Sequence, residues 1–338
     1  MLSASAWHLV HFLQCEHDTG DDAKYSMISN QALQRKLNDI VTGTSDDVVT
    51  AVLAAAAYAN LIKDPVLFQT HMDGLSQILQ HRGGEQSLNA CFALRLALFW
   101  VETNGRFRQD SIPTYPPPYH ILRTRTKLTP VFIDVSQLSA DEVFENFQHS
   151  TSVRYIFDLL RQLTQTVDTE SSAQKSFWFD SSFLIYTIHP LLHELLSFPR
   201  ATRYDSTPLR QRECIRLAAI LYVCNIRNRL DPDPGIGMLY GTKLYVMLRS
   251  PDMLSSWSDA SNCCNTSTFV WILTVAACSV TLFDDLRGSF KTLLSTTLRS
   301  TGIASTFRAF YTLIHRVLWS TTVLESDLCN LHTEFGAP

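Results

Sequence analysis

Apolar positions recur at three- and four-residue spacing along most of this chain, the pattern of helices that each bury one face. SDDVVTAVLAAAAYANLIKD, residues 45–64, opens on Ser45 with two acids in its first turn, which suits both an N-cap and the helix dipole. Its Ala-rich middle is apolar nearly all round and predicts a helix at the centre of a bundle. Asp64 then caps a second helix with Pro65 at the first position, and Phe68, His71, Met72, Leu75, Ile78 and Leu79 form one stripe along it. Gly74 lies at the edge of that stripe and predicts a close approach by another helix, since a mid-helix glycine otherwise only costs stability. The helix stops at Arg82-Gly83-Gly84: a cation in the last turn favours the exposed carbonyls, and Gly83 can take the left-handed position beyond it.

Residues 87–103 predict a further helix ended by Asn104-Gly105, followed by the proline-rich loop SIPTYPPPYH. PVFIDV, 130–135, is the one stretch compatible with a short strand. Helices resume over 139–147 and 151–168. The next, 180–198, is capped by Asp180 or Ser181 and interrupted at Pro190. Residues 206–230 read as a long amphipathic helix capped by Ser206, and helices at 237–250, 267–283, 284–300 and 306–323 complete the set. The expectation is an all-α chain, one array of roughly ten or more helices over residues 1–338 with little or no strand. No internal repeat and no clear linker is present.

Composition narrows the function. The chain is 46% hydrophobic and 18% charged, a globular balance, and its formal charge is −4 with no block of Lys/Arg. Direct DNA binding by this chain alone is not expected. None of the eight cysteines forms a C-x-x-C pair, and Cys91, Cys214, Cys224 and Cys278 lie in apolar helical stretches, which suits a reducing nuclear or cytoplasmic setting. The N-terminus is apolar but lacks a basic region and reads as a helix, not a signal peptide. Ser267–Phe283 is short for a membrane span and carries five Ser/Thr, so it reads as a buried core helix.

These residues resemble the fungus-specific regulatory domain found downstream of binuclear zinc cluster DNA-binding motifs, in the branch that includes sterol-sensing activators. The resemblance rests on an H-x-x-G-L helix followed by R-G-G and a leucine: His71, Gly74, Leu75, Arg82, Gly83, Gly84 and Leu88. Trp100, Pro113 and Pro116 follow in the family's order, as do CIRLAAILYV, FVWILTVAACSV and Val317–Trp319, so that it covers about residues 45–325. Glu102 stands where the family often has an aspartate, and the six-cysteine zinc cluster is missing. The resemblance implies a domain that senses a hydrophobic small molecule, or binds a partner protein or a second copy, without touching DNA itself. The alternative is an enzyme of fungal metabolite biosynthesis that reuses the scaffold on an apolar substrate.

No residue set declares a reaction. His189 and His193 are one helical turn apart but have no third ligand, so neither a metal nor another cofactor is expected. The acid pairs at 21–22, 46–47 and 284–285 suit helix starts, and no phosphate loop or G-x-S-x-G elbow occurs. His71, Phe99, Trp100, Tyr240, Met247 and Trp271 are the candidate lining of an apolar pocket, with walls from CFALRLALFW and FVWILTVAACSV.

Overall fold

The computed structural model describes residues 20–39, 42–123, 151–233, 235–257, 263–279, 281–302 and 306–335. Every regular element among them is helical, as expected, and none is a strand. The strand candidate at 130–135, the helix at 139–147 and the N-terminal helix lie outside the described residues. The chain divides into two compact units, residues 1–124 and 125–338.

The first unit contains α1 (Asp21–Leu37), α2 (Asp46–Leu61), α3 (Pro65–His81), a 3₁₀ turn (Glu85–Leu88), α4 (Phe92–Gln109) and a single turn, α5 (Tyr119–Leu122). The Ala-rich helix α2 takes the central place, touching α1, α3 and α4. Its Val49, Leu53 and Ala56 meet Phe68, Met72 and Leu75 of α3 and Leu94, Leu98 and Val101 of α4 in one apolar core. The start of α3 is as the sequence predicts: Asp64 accepts from the Val66 and Leu67 amides at 3.0 and 2.9 Å, with Pro65 at the first position. So is its end. Gly83 has φ 91 and Gly84 φ 100, the Gly84 amide donates to Leu79 O at 2.8 Å and the Gly83 amide to Gln80 O at 3.1 Å, the two bonds of a Schellman cap.

Four expectations are corrected here. The close-approach glycine is Gly105, not Gly74. A Cβ on Gly74 would meet nothing within 4 Å, whereas one on Gly105 would lie 2.0 Å from the ring tip of Phe68. For the same reason Asn104-Gly105 does not end a helix: α4 runs through it to Gln109, because the glycine is what lets α4 lie against α3. That helix also starts later than Ser87, after the 3₁₀ turn. Ser45 occupies the N-cap position of α2 in an extended conformation, but its hydroxyl makes no capping bond.

The second unit runs α6 (Thr151–Ala173), a 3₁₀ turn (Lys175–Phe179), α7 (Ser181–Phe183), a π turn (Leu184–Ile188), α8 (His189–Ser197), α9 (Thr207–Leu230), α10 (Met238–Leu248), α11 (Pro251–Trp257), α12 (Cys263–Ala277), α13 (Asp284–Thr301), α14 (Phe307–Val317) and α15 (Glu325–Phe335). Asp180 caps α7 through the Ser182 amide at 3.0 Å. The interruption expected at Pro190 takes the form of the π turn just before it.

The reading of 206–230 as amphipathic is wrong. Every residue from Arg210 to Arg227 is buried, and α6, α8, α10, α11 and α12 all pack on α9. Its polar residues mislead because their charges are satisfied inside. Arg216 forms a two-pronged bond to Glu213 at 2.7 and 2.8 Å, with both side chains at most 3% exposed. Arg212 reaches Pro199 O at 3.1 Å and Arg210 pairs with Asp252. Ser206 makes no side-chain cap there. The segment FVWILTVAA is buried from Phe269 to Ala277 as a core helix, and among the described residues no helix is long and apolar enough to cross a membrane.

Candidate functional site

Helix α1 is built differently from its neighbours. Gly20, at φ 66, opens it without a side-chain cap, and none of its 17 residues is buried. Leu33 packs part-buried on the core of the first unit. Two polar contacts hold its ends to α2: the Tyr58 phenol donates to Asp22 at 3.0 Å, and Lys36 pairs with Asp47 at 3.3 Å. Burial, helped by the Asp22 carboxylate, pushes the Tyr58 phenol up to about 12, so it remains a hydrogen-bond donor throughout the physiological range.

Beside α1 lies a groove of about 490 Å³, open to solvent along one side. One wall comes from Ala23, Ser26, Met27, Asn30, Gln31 and Gln34, which the 3.6-residue repeat places on one face of α1. Tyr58 and Ile62 at the end of α2 and Leu67 of α3 form the other. No lining residue carries a charge. Ala23, Met27, Ile62 and Leu67 supply its apolar surface, and the primary amides of Asn30, Gln31 and Gln34 each offer a donor and an acceptor. Such a surface suits an amphipathic peptide or helix. It does not provide the enclosure by which a small apolar ligand hides most of its area from water.

Two clasps hold the scaffold around this region. Arg82, from the R-G-G turn, reaches back to the start of α2, donating to Thr44 O at 3.1 Å and to Asp46 at 2.6 Å. Glu102 of α4 is buried and accepts from the Thr114 and Tyr115 amides at 2.6 and 3.0 Å, which pins the proline-rich loop. Arg95 adds a bond to Pro116 O at 2.6 Å. Desolvation raises the Glu102 carboxyl above its ordinary value, against the pull of those two amides and of Arg106.

The residues expected to line an apolar pocket divide between the two units. In the first, His71 is half-buried and burial lowers its titration; Phe99 is buried, and Trp100 beside it is 40% exposed. In the second, Tyr240 and Trp271 are fully buried and Met247 is partly exposed. Trp271 is held as core: its indole N–H donates to Leu318 O at 2.8 Å, and its ring packs on Phe157 and Tyr222 with centroids 5.1 and 6.2 Å apart. None of the six lines the groove. The groove's own residues went unread because α1 has no apolar stripe to reveal it; the run SNQALQ, amide-rich at helical spacing, is the one signal that was there.

His189 is buried with Nδ1 2.6 Å from Leu184 O, and His193 faces Ser197. Among the described residues no three His, Cys, Asp or Glu side chains gather as a metal site would need. No family model matches the chain, and neither a curated protein nor a solved structure matches it.

Proposed function

We propose that the chain is a regulatory interaction module of the kind that follows binuclear zinc clusters in fungal transcription factors, and that it docks a partner protein along the α1 groove. The observation that carries this is the groove itself: open, uncharged, part apolar and lined by amides on one wall. The resemblance supports it residue by residue. Gly83 and Gly84 take the backbone that a helix stop requires, Leu75 and Leu88 are buried, and Arg82 ties the turn to α2. Between a small-molecule sensor and a partner-binding module, the open groove favours the second.

The test tethers the chain to an unrelated DNA-binding domain in a nucleus and reads a reporter, with affinity capture in parallel. The expected result is an altered reporter output that Ile62→Glu and Gln31→Arg abolish while the fold persists. No change in the reporter, together with turnover of an apolar metabolite by the purified chain, would replace this proposal with the enzymatic alternative. A stabilising thermal shift by sterols or fatty acids that the groove variants leave untouched would move it to small-molecule sensing.

A further inference from the structure

We infer that Pro116-Pro117-Pro118-Tyr119, at the end of the proline-rich loop, is a held-back docking motif for a domain of the WW kind, whose aromatic groove reads a polyproline II run closed by a tyrosine. The site is independent of the α1 groove. Three observations carry it.

The first is the sequence of the run. A stretch rich in proline is stiff before it binds, so an aromatic-lined groove orders it at little entropic cost. Polyproline II has three residues per turn, so Pro116 and Tyr119 share one edge of the run once it is straight. Pro-Pro-x-Tyr is the pattern that a WW groove takes. An SH3 groove reads Pro-x-x-Pro beside a cation, and Pro113 to Pro116 is flanked by Ser111, Ile112, Pro117 and Pro118, none of them charged.

The second is how the fold uses the four residues. Pro117 and Pro118 are buried, whereas Pro116 is exposed and Tyr119 part-exposed. Covering the core occupies the middle of the motif and leaves the two residues of its reading edge accessible.

The third is that the run is bent and tied. Pro118 has φ −76 and ψ 72, and the Tyr119 amide donates to Pro117 O at 2.9 Å, an inverse γ-turn. Polyproline II requires ψ near 145°. The bend feeds Tyr119 into α5, a single turn that hangs on Pro118 O through the Ile121 and Leu122 amides at 2.8 and 3.0 Å. On the other side, Glu102 and Arg95 of α4 hold the backbone of Thr114, Tyr115 and Pro116, three residues in succession. A reading domain must straighten Pro118 and lift the run off this clasp. Its apparent affinity therefore falls with the fraction of chains whose loop is open, and loosening the clasp raises it.

The probe is a fluorescently labelled WW domain that reads Pro-Pro-x-Tyr, titrated with the full chain and followed by anisotropy. The wild-type chain is expected to bind weakly. Glu102→Gln, which can no longer accept from both loop amides, is expected to bind at least about tenfold more tightly. Should that variant lose its circular dichroism, Arg95→Lys releases Pro116 O alone, keeps the charge beside Glu102 and carries the same expectation. Pro116→Ala, at an exposed position, is expected to abolish binding in the wild-type and the released chain alike, with the circular dichroism unchanged. In the wild-type chain, excess WW domain should speed hydrogen exchange at the Thr114, Tyr115 and Tyr119 amides. A folded release variant that the WW domain ignores overturns the inference. So does binding that survives Pro116→Ala, or an affinity equal in wild-type and released chains. Exchange at those amides that stays unaltered with the WW domain bound does the same.

Discussion

Replacing Gly105 by alanine adds one methyl group to a helix and should nevertheless destabilise the first unit. The new Cβ would stand 2.0, 2.4 and 2.5 Å from Cζ, Cε1 and Cε2 of Phe68, against an ordinary carbon separation of about 3.5–4.0 Å. Relief requires the ring or one of the helices α3 and α4 to move by roughly 1.5 Å. Phe68 is completely buried in the core and has little room to rotate. Overpacking of this kind costs about 1–3 kcal/mol, occasionally more. Alanine returns up to about 1 kcal/mol through its better helix propensity, which leaves a net loss of about 1–2 kcal/mol. Gly74→Ala is the internal control: the same chemical change in α3, where a Cβ meets nothing within 4 Å, should gain up to about 1 kcal/mol. Urea unfolding followed by circular dichroism separates the two by the sign of the midpoint shift. Adding Phe68→Leu to Gly105→Ala should recover part of the loss, the non-additivity expected of residues in contact. A Gly105→Ala chain as stable as the Gly74→Ala chain would refute the close approach of α3 and α4.

Gly83→Val should lower the unfolding free energy by about 1 kcal/mol or more, because a β-branched residue is strained at the φ of 91 observed there; an unchanged urea midpoint would contradict the capping geometry. Burial, with the positive charge of Arg227 adding to it, pushes the His189 imidazole down to about 3. An unfolded histidine titrates near 6.5, so the stability this residue contributes is complete above about 6.5 and is lost as pH falls towards 3, on the order of 1 kcal/mol per pH unit. His189→Gln keeps a donor for Leu184 O and should flatten that part of the pH–stability profile; parallel profiles for the two proteins would exclude the effect. Asp168 of α6 accepts from the Ser320 and Thr322 hydroxyls at 2.6 and 2.7 Å and from the Thr321 and Thr322 amides at 3.2 and 3.3 Å. Asp168→Ala should cost about 1–2 kcal/mol and speed hydrogen exchange at those two amides; unaltered exchange would mean that the turn holds itself.

Local chemistry was legible wherever one residue decides one backbone event. Asp64 with Pro65, Asp180 and Gly83 each act within a few residues of themselves, and each behaves as its side chain dictates. Burial of the Phe269–Ala277 segment was equally plain, since it carries no charge and its two polar side-chain groups, the Trp271 indole N–H and the Thr274 hydroxyl, find carbonyl partners inside. Features set by distant partners were not. Gly105 looks like a helix stop until Phe68 is placed against it. The charges of α9 look like a solvent face until Glu213, Asp252 and Pro199 are seen to satisfy them. The groove was the least visible feature, because amides are neutral in any hydrophobicity pattern and Tyr58, Ile62 and Leu67 reach it from two other helices.

The enclosure of α9 constrains the order in which the second unit can be assembled. A rod covered on every side from Arg210 to Arg227 has no late point of entry: the helices around it must close on something already there. Arg216 and Glu213, three residues apart on that rod, can neutralise each other in the nascent helix before any wall arrives. What is swallowed is then a polar pair already joined, not two separate ions. Genetic fragments of this protein divided within the loops on either side of α9 should therefore be useless singly and competent together, with the piece carrying α9 serving as the template.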